Sequence, residues 1–295
     1  MIHFRLKLHL ITNHHPPHYM KTNYLFASQL NLSKALGGGV LALGLMLPGQ
    51  NAAAAMIELG TAEAFAVLAG STVTNTGPSV IKGDLGLSPG SGVTGFPPGL
   101  VVNGTIHAAD GVSQQAQRDL TTAYNFAAGL EATADLTGQD LGGLTLVPGV
   151  YFFSSSAQLT GTLTLNLLGN PESLFVFQIG SALTTASNSR VALINGMEAC
   201  NVFFQIGSSA TLGTDTGFTG NMLALTSITL NTGASINGRA LARNGAVTLD
   251  NNIITPTHCE TPHSVPDGGS TLLLLASAVG CMVGATKRAS LRHAV

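Results

Sequence analysis

Residues able to do acid–base chemistry are few and scattered. Between Met56 and Ser264 stand thirteen Asp/Glu and five Lys/Arg, and Arg239 and Arg243 are the one close basic pair. Cleaving a polysaccharide in a groove requires clustered carboxylates with Lys or Arg beside them. No enzyme activity is therefore expected. No Gly-Gly-X-Gly-X-Asp calcium repeat and no zinc spacing occurs, and neither metal nor cofactor is expected. His107 and Arg118 read as a satisfied histidine and a surface arginine. Five of the nine histidines, His3, His9, His14, His15 and His18, fall in the first 19 residues, a segment that reads as an extension ahead of the true start rather than as a metal site.

What does recur is the threonine hydroxyl. Between Asn201 and Asn252 the chain has almost no charge, no proline and no helical period. Ser-Ala-Thr-Leu (209–212), Ser-Ile-Thr-Leu (227–230) and Ala-Val-Thr-Leu (246–249) place Thr211, Thr229 and Thr248 at steps of 18 and 19 residues. Such a step, punctuated by Gly and Asn, marks a solenoid. Each coil alternates inward apolar and outward polar side chains, and no coil buries its inner face alone, so coils must stack. Phe175 to Ser181 recurs as Val202 to Ser208, which aligns Thr184 with Thr211. Asn75-Thr-Gly-Pro-Ser79 is echoed by Asn231-Thr-Gly-Ala-Ser235, each followed by a glycine (Gly83, Gly238). The beginning and end of the domain are therefore expected to be neighbours in space.

The elements that position these residues follow from pattern. Leu59 to Ala69 is a short helix or an opening cap, with Phe65, Val67 and Leu68 in the core. Ser88-Pro-Gly-Ser-Gly and Phe96-Pro-Pro-Gly99 are turns. One helix is expected from Asp110 to about Ala134, because Val112, Ala116, Leu120, Ala123, Ala127 and Leu130 form an apolar stripe, with Asp110 or Ser113 as cap. Pieces near Leu136–Leu146, Pro148–Phe153, Gln158–Leu165, Leu174–Ile179 and Leu183–Ile194 continue the coils, their Phe side chains stacked inside. The chain is only 9% charged, 45% hydrophobic and rich in glycine, with no tryptophan and a formal charge of −2. That composition excludes disorder, and an acidic body argues against nucleic acid.

The ends read as targeting. Residues 20–55 form a signal peptide: Met20, Lys21 and Lys34, an apolar Ala35–Leu47, then small residues up to a mature start near Ala54 to Met56. Cys200 and Cys259 are candidates for a disulfide in the oxidising compartment this implies; the pairing stays open. Residues 256–264 are a linker. In residues 265–295, Val265-Pro-Asp-Gly-Gly-Ser-Thr271 precedes the apolar run 272–285 and the basic Lys287, Arg288 and Arg292. This resembles the VPDSG variant of the PEP-CTERM/exosortase sorting signals of Gram-negative bacteria, with Gly269 where serine is more usual. A plain tail anchor is the alternative, for which the run is short. The protein is expected at the cell surface or secreted, touching the membrane transiently through 272–285 and meeting sorting machinery at its C-terminus.

The body from about Leu59 to Ile254 resembles the DUF3494 family of ice-binding proteins. The resemblance is carried by Leu59-Gly-Thr-Ala, Phe65 to Gly77, Gly83-Asp-Leu-Gly86, Gly95-Phe-Pro-Pro-Gly99, Gly104 to Asp110, Asp119 to Tyr124, Leu136 to Leu146, Pro148-Gly-Val-Tyr151, Ser208 to Gly213 and Gly245 to Asp250. It implies a discontinuous right-handed parallel β-helix over residues 56–255, triangular in section, with one long α-helix packed alongside. It also implies a monomer that adsorbs to ice through a flat Thr/Ser face, giving thermal hysteresis and inhibiting recrystallisation. Some members carry Thr-(Ala/Gly)-X-(Thr/Asn) on that face. Thr185-Ala-Ser-Asn188 and Thr216-Gly-Phe-Thr219 match it, and Thr232-Gly-Ala-Ser235 and Thr76-Gly-Pro-Ser79 match loosely. The implied ice-binding set is Thr76, Ser79, Thr185, Ser187, Thr214, Thr216, Thr219, Thr232 and Ser235. The alternative function is a non-enzymatic surface or matrix protein that binds polysaccharide; exposed aromatic platforms would favour it, and the chain has four tyrosines and no tryptophan.

Overall fold

The computed structural model describes residues 56–196 and 200–257. The N-terminal extension and signal peptide, the sorting segment and Cys259 lie outside the described residues. The described chain is mainly β, with its strands paired in parallel and one α-helix.

Three ladders organise it. The first runs through Ala134–Asp135, Gly149–Phe153, Phe175–Ile179, Val202–Ile206, the later halves of Gly217–Ala224 and Ser235–Ala242, then Phe65–Ala69, Asp84–Leu87 and Ile106–Ala108. The second comprises Ala157–Leu159, Leu183–Thr185, Ala210–Leu212, Ile228–Leu230, Val247–Asp250, Thr72–Thr76 and Gly92–Thr94. The third joins Thr145–Leu146, Thr162–Asn166, Arg190–Ile194, the earlier halves of the same two long strands, Ile253–Thr255, Val80–Lys82 and Leu100–Val102. The long strands pass from third to first ladder at Gly220 and Gly238, paired to each other with φ of 129° and 142°. A Cβ on Gly238 would sit 2.1 Å from the Gly220 carbonyl oxygen, so only glycine turns this corner.

In each ladder the strands of residues 65–108 stack beyond the last described strands, not beside the strands that follow the helix. The expected adjacency of beginning and end holds: Val73 pairs with Val247, and Val80 with Ile253. The Asn75/Asn231 echo, however, is one residue out of register. Asn75 pairs with Leu249 and is buried, whereas Asn231 is exposed. A slip of one residue moves a side chain to the other face of a strand.

This order obliges the chain to return across the whole stack after Ala108. The first ladder has eight steps between Ile106–Ala108 and Ala134–Asp135, about 38 Å at ~4.8 Å per step. The helix Gly111–Ala128 supplies about 27 Å, and the five residues after it supply the rest. The helix is thus a strap. Asp110 caps it by accepting from Ser113 N at 2.8 Å. Ala116, Leu120, Ala123, Tyr124 and Ala127 are buried against Val150, Val176, Phe203, Leu223 and Leu241. It ends at Ala128, earlier than the expected Ala134. Gln178 Nε2 donates to the carbonyls of Ala127 and Leu130, satisfying the open C-terminal end, and Ala134–Asp135 is already a strand. Leu59 to Ala69 divides into a 3-10 turn, Gly60–Ala64, and the fully buried strand Phe65–Ala69.

The inward side chains stack in register. Tyr151, Phe177 and Phe204 occupy paired positions. Phe177 lies 5.5 Å from Tyr151 and 4.4 Å from Phe204 between ring centroids, the latter nearly coplanar at 8°, and Phe218 follows at 4.7 Å. Phe177→Ala opens a cavity in mid-stack and should lower the unfolding free energy by about 3–5 kcal/mol, read from the urea midpoint. At the strap's start, the Ser113 amide and then His107 hold the Asp110 carboxyl down at about 2. Its stabilising effect is present above the ordinary carboxylate value and lost as pH falls through about 2. The stability difference between parent and Asp110→Asn should therefore shrink between pH 4 and pH 2, roughly the range set by the two values, when melting curves are compared.

Candidate functional site

The helix covers the first ladder, leaving the second and third open. On the second, Ala157, Leu183, Ala210, Ile228, Val247, Val73 and Val93 pair in sequence and turn inward. By strand alternation the next residues turn out. They are Gln158, Thr184, Thr211, Thr229, Thr248, Thr74 and Thr94, each in register with the next. Six threonines thus form one continuous row, spaced about 4.8 Å apart by the backbone. Thr74 Oγ1 lies 3.4 Å from Thr248 Oγ1.

The flanking positions keep the surface low. Two residues before each member of the row stand Ser156, Ala182, Ser209, Ser227, Ala246, Thr72 and Gly92. None is larger than threonine. Two residues after stand Thr160, Ala186, Gly213, Asn231, Asp250, Thr76 and Phe96. Asp250 is the one charge in these three rows, and it accepts a hydrogen bond from Thr232 Oγ1. A row of hydroxyls and methyls at fixed spacing, with the longer Gln158 and Phe96 only at its two ends, can order water. Among the described residues no three His, Cys, Asp or Glu side chains converge as a metal site.

The basic pair is split. Arg239 is buried and donates to Glu63 O, Asn221 Oδ1 and Thr257 O. Its burial lowers its pKa, partly offset by Glu63. Arg243 lies 4.7 Å over the Tyr124 ring. Cys200 is disulfide-bonded, and the Asn221 amide donates to its carbonyl at 3.1 Å.

The profile of the family described as ice-binding-like matches residues 67–255. The chain belongs to that family. An ice-binding protein of Nostoc sp. (strain HG1) is 60% identical over 240 residues, covering 80% of this chain and 88% of the relative. One from Colwellia sp is 33% identical over 234 residues, covering 75% and 90%. Among solved structures, the ice-binding protein of the Antarctic ascomycete Antarctomyces psychrotrophicus has a TM-score of 0.67 at 44% identity, covering 70% of this chain and 100% of that one.

On this ice-binding-like frame the residues of the implied ice-binding set do not lie together on one surface. Thr76 is exposed on the second ladder, opposite Asp250. Thr232, Ser187 and Thr214 sit in the turns that leave it, the first two exposed and Thr214 half-buried. Thr219 and Ser235 belong to the third ladder. Ser79, Thr185 and Thr216 are buried, and their hydroxyls pin the corner between the second and third ladders. Thr185 and Thr216 bond to each other at 2.9 Å, Thr185 Oγ1 accepts from Gly213 N, Thr216 Oγ1 donates to Ala186 O, and Ser79 Oγ accepts from Asn252 N. The motif thus mixes corner pins with surface groups. The outward row, by contrast, was visible in part as the 18- and 19-residue steps between Thr211, Thr229 and Thr248. Thr74 and Thr94 extend it, and only the stacking of the chain's beginning on its end reveals them.

Removing a pin should cost stability. Thr185→Val keeps the shape but leaves the buried Gly213 N–H without its acceptor. The unfolding free energy should fall by about 1–3 kcal/mol, measured by urea titration with the far-UV spectrum unchanged.

Proposed function

We propose that this protein adsorbs to ice through the second ladder and thereby produces thermal hysteresis and slows recrystallisation. The observation that carries the reading is the in-register row Thr184, Thr211, Thr229, Thr248, Thr74 and Thr94 on a low, nearly uncharged surface. Relatives bearing the name ice-binding protein support it. Threonine methyls restrict neighbouring water while the hydroxyls anchor it, so the hydration layer can merge with a lattice. The groups are held by backbone hydrogen bonds and need little further ordering on contact, which keeps the entropic cost of adsorption small. Molecules fixed on a growing front force the ice between them to curve, which opposes further growth.

We read the three ladders as the sides of a discontinuous, right-handed β-helix of triangular section. The exposed Thr76 and Thr232 extend the contact at the edge of the row. Residues 20–55 direct export, residues 265–295 engage sorting machinery, and the protein works as a monomer at the cell surface or outside the cell. Its mildly acidic body suits ice, which has no net charge, better than nucleic acid.

The test compares residues 56–260 with Thr229→Tyr and Thr248→Tyr, and with Thr164→Tyr on the third ladder as control. The parent and the control should show thermal hysteresis and inhibit recrystallisation. The two row variants should lose most of both while keeping their fold. A folded parent without activity sinks the reading. Active row variants together with an inactive Thr164→Tyr would assign ice to the third ladder.

A further inference from the structure

The third ladder carries a different chemistry. Of the five basic residues in the described body, Arg239 is buried in its polar network, Arg243 lies on Tyr124, and Arg118 bonds twice to Gln115 Oε1. The other two, Arg190 and Lys82, have neither a hydrogen bond nor an ion pair from their side chains among the described residues. Both are exposed, and both lie on the third ladder. They are four strand steps apart through Gly217, Ser235, Ile253 and Val80, about 19 Å along the ladder.

An open trough of about 390 Å³ runs from Arg190 across to Ile253 and Thr255, and Lys82 stands one strand beyond that far end. The trough begins where Arg190 pairs with Gly217, whose missing side chain lets the guanidinium lie over that strand. Its floor presents Thr219, Asn237 and Thr255 in register, their side chains without internal hydrogen bonds among the described residues. Ile253, 52% exposed, gives it an apolar patch. The nearby carboxylates are turned away. Asp215 Oδ1 lies over Gly233, 2.2 Å from where a Cβ would stand, on the side away from Arg190's strand. Asp84 accepts from the Thr105 amide at the opposite corner.

We propose that this trough is a second binding face, and that it takes an extended polyuronate strand. Arg190 and Lys82 meet sugar carboxylates, Arg190 as a planar fork suited to that group. Thr219, Asn237 and Thr255 bond the ring hydroxyls between them, and Ile253 packs on a sugar face. Recognition is by charge and hydrogen bonding, which needs no aromatic platform. A protein strand would instead seek an unpaired sheet edge, whereas the trough lies on paired strands. Nucleic acid would need a wider basic footprint than two cations on an acidic body. Because the trough and the threonine row are on separate ladders, ice and glycan can be held at once.

The test measures binding of the full chain to alginate, to a sulfated galactan, to neutral dextran and to single-stranded DNA by titration calorimetry at low salt. Alginate should bind most tightly and dextran not at all. The double variant Arg190→Gln/Lys82→Gln should weaken alginate binding at least about tenfold, the loss of one charge-assisted contact or more. Arg190→Lys should lose part of that affinity. Ice recrystallisation inhibition and the circular dichroism spectrum should be unchanged in all variants, which keeps failure here distinct from failure of the ice reading. Absence of alginate binding, equal binding of dextran or DNA, tighter binding of the sulfated galactan, or an unaffected double variant would each overturn the proposal.

Discussion

Everything outside depends on a constraint inside: each pass of the chain has to seat its inward side chain against the same position of the pass before. Tyr151 on Phe177 on Phe204 is the clearest case, with the 8° angle of the last pair leaving little freedom to slide. Parallel pairing fixes the rise between passes, and alternation fixes which side chains point out. Once the inner stack is in register, an outer row is in register too. A flat, repeating surface therefore needs no interactions of its own to hold it in place. It inherits its spacing from the core, and the outward residues are left free to be threonine.

The strap follows from the same constraint. A pass at the end of a stack exposes its backbone and one side of its core. By placing residues 65–108 beyond residue 255, the fold ties the beginning and end of the described body into adjacent passes, Val73 on Val247 and Val80 on Ile253. The connection must then recross the stack, and a helix does so while satisfying its own backbone. Its alanines at 116, 123 and 127 let it lie close, and the buried Gln178 bonds the carbonyls of Ala127 and Leu130 beyond those that the capping Gly129 satisfies. The helix makes the first ladder unavailable to any large flat partner, so the surfaces left for binding are the other two.

Legibility in the sequence tracks how local the determining contact is. The steps between Thr211, Thr229 and Thr248, and the copy of Phe175–Ser181 at Val202–Ser208, reveal the stacking because those passes follow one another directly. The helix is legible from its stripe, and Gly129 marks its end locally, but the Gln178 contact that satisfies its last carbonyls comes from a distant strand and is not legible. Thr74 and Thr94 belong to the row only through pairings that span most of the domain. The Asn75 and Asn231 pentapeptides look alike yet sit one residue apart in register, so one asparagine is buried and the other exposed. Sequence similarity alone does not carry the inside–outside phase. The four-residue motif does not carry it either. It marks corners, where Thr185 and Thr216 turn inward to bond to each other, as readily as it marks surface.

Charge placement separates the two open ladders. On a surface meant to order water, one long cation would break the pattern for a whole pass, and the threonine row with its neighbours holds only Asp250, bonded to Thr232. The third ladder tolerates Arg190, Lys82 and Asn237, and it exposes Ile253 and Leu100. The core beneath the two is equally regular, with Ile236 and Ile254 buried under one and Ile228 and Leu249 under the other. Packing therefore does not demand the difference. The same backbone would accept threonine at every outward position of both ladders. That one is kept uniform and the other is varied, with cations unpaired among the described residues, is what a body presenting two unlike partners on two sides would require.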